Sequence, residues 1–179
     1  MSEEARAGVT LVLGGARSGK TAFGERLTLG MAEGLGHGRG VFLATAEAHD
    51  EEMALRIRQH QADRADRFVT IEEPLALADA IRARSGDGVP ILVDCLTLWV
   101  TNLLLAGQSV GDHSDRLVAA LADCASPVVL IANETGLGIV PDNALARAFR
   151  DEAGRLNQKV AALADRVYFV VAGLPMQVK

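Results

Sequence analysis

Three features of this 179-residue sequence predict an α/β fold, a mainly parallel sheet with helices on both faces. Short apolar, β-branched-rich segments alternate with longer segments of helical character, the pattern that builds parallel strands through helical crossovers. The stretch Gly14-Gly15-Ala16-Arg17-Ser18-Gly19-Lys20-Thr21 reads G-x-x-x-x-G-K-T, and it stands between a strand-like Val9–Leu13 and a helix-like Ala22–Leu27. Finally, Thr45, Asp94 and Asn133 each directly follow an apolar strand-like run. Open α/β sheets bind their ligands at the carboxyl ends of the strands, so four polar positions converge on one edge. The predicted sheet is of the phosphate-loop NTPase type.

Along the chain, residues 1–8 read as a loose tail and 9–179 as a single domain. Val9–Leu13 is the first strand, and the helix after the loop runs to about Glu33. Gly34, Gly36, Gly38 and Gly40 make a turn. Val41–Thr45 is the second strand. A charged helix is expected over Asp50–Arg67, then a short strand at Phe68–Ile71. Pro74 suits the first turn of a helix reaching about Arg84, which Gly86-Asp87-Gly88 ends. Val89–Val93 is a strand and Leu96–Leu105 a helix. A polar loop, Gly107–Ser114, leads into a helix over Asp115–Cys124. Pro127–Ala132 is a strand, Asp142–Ala164 a long helix with Asp142 as cap, and Val167–Ala172 the last strong strand.

Composition narrows the function class. The chain is long enough to bury about 70% of its unfolded surface. Hydrophobic residues make up 49% and aromatics 4%, so Ala, Val, Leu and Ile build the core. A net charge of −5 argues against a general nucleic-acid binder, which presents a basic face. Cys95 and Cys124 lack metal-ligand spacing and read as reduced thiols of a cytoplasmic protein. The first eight residues are short, polar and acidic, unlike a signal peptide, and no apolar run reaches the ~18 residues of a membrane span.

The phosphate loop sets the chemistry. Its glycines let backbone N–H groups turn toward an anion, and the following helix adds the positive end of its dipole. Lys20 is expected to reach the β- and γ-phosphates and Thr21 to hold Mg²⁺. Asp94, at the end of the apolar run Ile91–Val93, resembles the carboxylate of a Walker B segment. It can serve a metal directly, serve it through water, or act as base on an acceptor hydroxyl; the plainer alternative is a cap on the next helix. His60 shares a helical face with Met53, Ile57 and Arg64, and Arg56 and Arg64 each lie one turn away. Neighbouring arginines favour the neutral imidazole, a nucleophile whose phosphorylated or nucleotidylated form they can neutralise. Spacing alone favours an ordinary half-buried histidine. His37, His49 and His113 read as loop or surface residues. The segment Asn133–Pro141 reads either as a shaped loop over the site or as a plain strand-to-helix connection. It is not the N-K-x-D base-reading motif.

From Val9 to Lys179 the sequence closely resembles the bifunctional adenosylcobinamide kinase / adenosylcobinamide-phosphate guanylyltransferases of cobalamin biosynthesis. The resemblance rests on GGARSGKT at 14–21, ATA at 44–46 and D-x-E-M-x-x-R-I-x-x-H from Asp50 to His60. It continues through T-x-E at Thr70–Glu72, DCLTLWVTNLL at 94–104, NETGLGIVPDNALARAFRDEAGRLNQ at 133–158 and AGLP at 172–175. Gln61 stands where the family commonly has Arg or Lys, and Thr135 where Val is more usual.

The resemblance implies two reactions. ATP or GTP phosphorylates the aminopropanol hydroxyl of adenosylcobinamide. GTP then donates GMP to that phosphate through a GMP–histidine, giving adenosyl-GDP-cobinamide and pyrophosphate. His60 holds the matching position, which reverses the preference drawn from spacing. Thr45, Ala46 and Glu47, then Gln61, Ala62, Asp63 and Arg64, and also Glu72 and Asp94, fall where the family contacts nucleotide. Mg²⁺ is the implied cofactor, with Thr21 and Asp94 as its protein oxygens. A homotrimer and an antiparallel C-terminal hairpin are implied too. A single-activity kinase with a structural His60 and a nucleotide-dependent switch are the alternatives.

Overall fold

The computed structural model describes residues 8–47 and 66–179. The helix expected over Asp50–Arg67 lies largely outside them, with Arg56, His60, Gln61, Ala62, Asp63 and Arg64; Asp66 and Arg67 form a turn. The described chain runs β1 (Val9–Gly14), α1 (Lys20–Gly34), β2 (Gly40–Ala44), β3 (Phe68–Glu72), α2 (Leu77–Arg84), β4 (Ile91–Asp94), α3 (Leu96–Leu105), α4 (Val110–Ala122), β5 (Val128–Asn133), α5 (Ala144–Leu163), β6 (Arg166–Val171) and β7 (Leu174–Gln177).

The seven strands form one sheet in the order β3-β2-β4-β5-β1-β6-β7. All neighbours are parallel except β6 and β7, the antiparallel hairpin implied by the resemblance. Strands buried on both faces read as near-continuous apolar runs, and here each run divides with a period of two. Val41, Leu43, Ile91, Val93, Val128 and Leu130 pack on one side with Leu77, Trp99, Leu117 and Leu156 of α2 to α5. Val12, Phe42, Leu92, Val129 and Ile131 pack on the other with Phe23, Leu27 and Met31 of α1. The sheet is thus covered on both sides, as predicted.

Three helix starts differ from expectation. Pro74 precedes α2 instead of opening it, because the Glu73 carboxylate accepts from the amides of Leu75 and Ala76 and holds a separate turn there. The helix expected from Asp115 begins at Val110. Ser109 caps it by accepting from the Asp112 amide, and Val110, Ser114, Leu117 and Leu121 fall on one buried face. The supposed polar loop was therefore the first turn of an amphipathic helix, and His113 sits within it with its ring edge-on to Trp99. On α5 the cap is Asn143, not Asp142: Asn143 Oδ1 accepts from the Ala146 amide at 2.7 Å. Such caps contribute about 1 kcal/mol each.

Candidate active site

The phosphate loop joins β1 to α1, with Gly14 ending the strand and Lys20 opening the helix. Two of its glycines are demanded by geometry. A Cβ on Gly14 would lie 2.7 Å from the Val170 carbonyl oxygen and 2.5 Å from Ser18 Oγ. Gly19 has φ of 92°, in the left-handed region, and a Cβ there would crowd Gly173 of the β6–β7 turn. That turn also grips the loop directly, the Gly173 amide donating to the Ser18 carbonyl at 2.8 Å. Gly15, Ala16 and Arg17 form the exposed crest of the loop.

The helix end beyond the loop is left open. Like α2 and α3, and unlike α4 and α5, α1 has no side-chain cap, and its first turn carries no acidic residue. Its leading amides and dipole are therefore free to receive an anion. Lys20 is buried, and its Nζ donates to the Gly15 carbonyl at 2.9 Å, across the loop. Buried ammonium groups require such oxygen partners, and phosphate oxygens are stronger ones.

Register brings the remaining residues to the same edge. Ala44 pairs with both Glu72 and Asp94, Asp94 with Ile131, and Gly14 with Asn133. Asp94 follows Leu92 by two and so faces α1, where the Thr21 hydroxyl donates to its Oδ2 at 3.2 Å. Thr21 and Asp94, 73 residues apart in sequence, are thus in contact. Both are hard oxygen donors, and this pair fits Mg²⁺, which takes one or two protein oxygens and completes its shell with phosphate and water. Glu72 ends the edge strand, two strands or roughly 10 Å from Asp94. Ala46 is half-buried and Glu47 exposed on the segment leaving β2.

Thr45 has a different place from a surface contact. It is fully buried, its hydroxyl both accepts from the Cys95 amide and donates to the Cys95 carbonyl at 2.8 Å, and its own carbonyl accepts from Asn102 Nδ2 at 2.7 Å. It thereby anchors the turn that carries Asp94. Burial pushes the Cys95 thiol up to about 11, and the adjacent Asp94 charge adds to the rise. Cys95 is accordingly a protonated, inert packing residue at neutral pH. Asn102 and Thr97 were not singled out by sequence reasoning. Thr97 Oγ1 accepts from the Asn133 amide at 2.7 Å, and Asn102 also reaches the Pro74 carbonyl. Their signal was present as polar residues inside the otherwise apolar run Leu96–Leu105.

Comparison with known proteins agrees with this geometry. Residues 10–178 match the model of the family described as cobinamide kinase / cobinamide phosphate guanyltransferase. The chain is 47% identical over 173 residues to the bifunctional adenosylcobalamin biosynthesis protein CobP of Pseudomonas aeruginosa, covering 94% of this chain and 96% of that protein. It is 40% identical over 184 residues to the corresponding protein CobU of Salmonella typhimurium, and 38% identical over 184 residues to CobU of Escherichia coli, covering 94% of this chain and 98% of each relative. With the match running from the first phosphate-loop strand through the C-terminal hairpin, the chain belongs to the cobinamide kinase / cobinamide phosphate guanyltransferase family.

Proposed function

We propose that the carboxyl edge of this sheet serves two successive transfers to one acceptor, as the bifunctional role of the family requires. In the first, the terminal phosphoryl group of ATP or GTP passes to the aminopropanol hydroxyl of adenosylcobinamide. In the second, GTP loses pyrophosphate and its GMP passes to the new phosphate by way of His60. The observation that carries the kinase half is the uncapped phosphate loop with Thr21 bonded to Asp94 beside it.

Each described group has a defined task. The loop amides and Lys20 orient the phosphates and offset charge on the group in flight. Thr21 and Asp94 would hold Mg²⁺, which would supply further neutralisation of phosphate charge there. For the second transfer, attack by His60 on the α-phosphate divides one difficult displacement into two. Arg56 or Arg64, each four residues from His60 in the sequence, neutralises phosphate charge there. Nucleotide contact at Ala46, Glu47, Gln61, Ala62, Asp63 and Glu72 belongs to the same reading. The corrinoid is a substrate, so its cobalt takes no protein ligand.

Among the described residues no helix is long and apolar enough to cross a membrane. We place the enzyme in the cytoplasm, in keeping with two unpaired buried cysteines. We further read it as a homotrimer without a nucleic-acid partner; the exposed Leu137, Ile139, Leu174 and Met176 supply apolar surface for contacts between copies.

The direct test is turnover of purified protein with adenosylcobinamide, GTP and Mg²⁺. Formation of adenosyl-GDP-cobinamide with release of pyrophosphate is expected. Arrest at the phosphate would reduce the protein to a kinase, and absence of turnover would leave a nucleotide switch. A finer test addresses Asp94. Asp94→Asn is expected to raise the Mg²⁺ concentration needed for half-maximal kinase rate and to lower the maximum rate. The domain should remain folded, because Asn preserves shape. An unchanged Mg²⁺ dependence and rate would reduce Asp94 to its structural contact with Thr21.

A further inference from the structure

Two buried side-chain oxygens have no hydrogen-bond partner among the described residues, Ser18 Oγ and Asn133 Oδ1. Both belong to the surroundings of Gly14. Ser18 Oγ lies over the position a Gly14 Cβ would take, and Asn133 is the in-register neighbour of Gly14. Ser18 is part of the phosphate loop, whereas Asn133 comes from β5, the strand between β1 and β4. A buried acceptor left without a donor is costly, so its persistence calls for an explanation in function.

The position of Asn133 narrows that explanation. Val129 and Ile131 pack toward α1, and the two-residue period carries Asn133 to the same face. The same rule takes Gly14 there after Val12, and Asp94 after Leu92. Asn133 therefore stands between the loop that receives the phosphates and the carboxylate bonded to Thr21. Its main chain is tied down on both sides, the amide to Thr97 Oγ1 at 2.7 Å and the carbonyl to Asn157 Nδ2 at 3.4 Å. A rigid strand end thus presents an amide whose Oδ1 has no bond to lose. A half-turn about Cβ–Cγ exchanges Oδ1 and Nδ2, so the buried position that now holds the unbonded Oδ1 can hold a donor instead.

We propose that Asn133 is a catalytic residue of the kinase step, its side-chain Nδ2 donating to an oxygen of the terminal phosphoryl group of the bound nucleoside triphosphate. This rests on the reading of the phosphate loop as the kinase site. In the transfer, the bond from phosphorus to the diphosphate oxygen breaks and leaves its electron pair on the diphosphate, a bond to the acceptor hydroxyl oxygen forms, and the hydroxyl proton passes to solvent. Asn133 is unchanged; it contributes a neutral donor where negative charge is being redistributed. A diphosphate lacks the group it contacts, so Asn133 distinguishes a loaded donor from a spent one.

The test uses the full chain with Asn133→Ala and the near-isosteric Asn133→Asp. Affinities for ADP and for the β,γ-imido analogue of ATP are measured by calorimetry, with the single-turnover phosphorylation rate and the melting temperature. ADP affinity is expected to stay within about 2-fold, and analogue affinity to fall about 10-fold, the scale of one lost hydrogen bond to a charged group. The rate is expected to fall about 10²-fold. The Asp variant, which conserves shape but repels phosphate, falls at least as far. Equal weakening of ADP and analogue, or an unchanged rate and unchanged analogue affinity in either folded variant, overturns the proposal. Those results are separable from a failure of the loop reading, for which Lys20→Ala is the independent control: a loop that does not bind phosphate leaves that variant at the wild-type ADP affinity and rate.

Discussion

Lys20→Ala is expected to lower the phosphorylation rate of adenosylcobinamide by roughly 10³-fold while leaving the protein folded. The ammonium is buried at the mouth of α1 and already seeks oxygen, reaching the Gly15 carbonyl at 2.9 Å. Phosphate oxygens carry full charge where that carbonyl carries a partial one, so a bound nucleotide competes for Lys20 strongly. Charge on the transferring group is offset by a few preorganised donors, and loss of one such donor costs about 10²–10³ in rate. Loss of a full cation lies at the upper end of that range or beyond it. Stability should change little, because Ala is the best helix former and Lys20 lies in the first turn of α1. The check is a steady-state kinase assay beside a thermal melt. A near-normal rate in folded Lys20→Ala would show that the catalytic phosphate site lies elsewhere.

Incubation with α-labelled GTP and Mg²⁺ is expected to leave label on the denatured protein, whereas γ-labelled GTP leaves none on His60. The distinction follows from which bond breaks: a guanylyltransferase retains the α-phosphate, and a kinase moves the γ-phosphate. A phosphorus–nitrogen bond to imidazole should be lost in acid and survive mild alkali, unlike a serine ester. Adding adenosylcobinamide phosphate should discharge the label into product, because an intermediate must be competent as well as present. His60→Ala should abolish α-labelling, while the loop, Lys20 and Asp94 stay in place to support residual kinase activity. His60 is outside the described residues, so this expectation rests on its sequence position and on family membership. Acid-labile GMP-protein formed at the normal rate by His60→Ala would assign the nucleophile to another residue. Product formation without any labelled wild-type protein would mean direct transfer between substrates.

Much of the fold was legible because local chemistry and tertiary placement agree. Val9–Gly14 and Lys20–Gly34 bracket the loop where the motif placed them, and Leu96–Leu105 has the predicted limits. Apolar strands buried on both faces declare themselves by continuity, and a phosphate loop by glycines whose positions the backbone requires. Helix starts were less legible. Val110–Ser114 reads as polar until Leu117 and Leu121 show which face is buried, and Asp142 and Asn143 are equivalent caps until the chain direction selects Asn143.

The sequence by itself determined the class of sheet, the anion-binding loop and the identity of the residues at the strand ends, because each depends on contacts within about ten neighbours. Strand order, register and the contacts between distant segments were decided only by the tertiary structure. Nothing local says that Thr21 bonds Asp94, that Gly173 grips Ser18, or that Thr45 spends its hydroxyl on the Cys95 peptide. Those pairings join segments 50 to 155 residues apart. They arise because burying both faces of one sheet brings the carboxyl ends of β1, β2, β4, β5 and β6 to a common edge, where polar groups left without water must find one another.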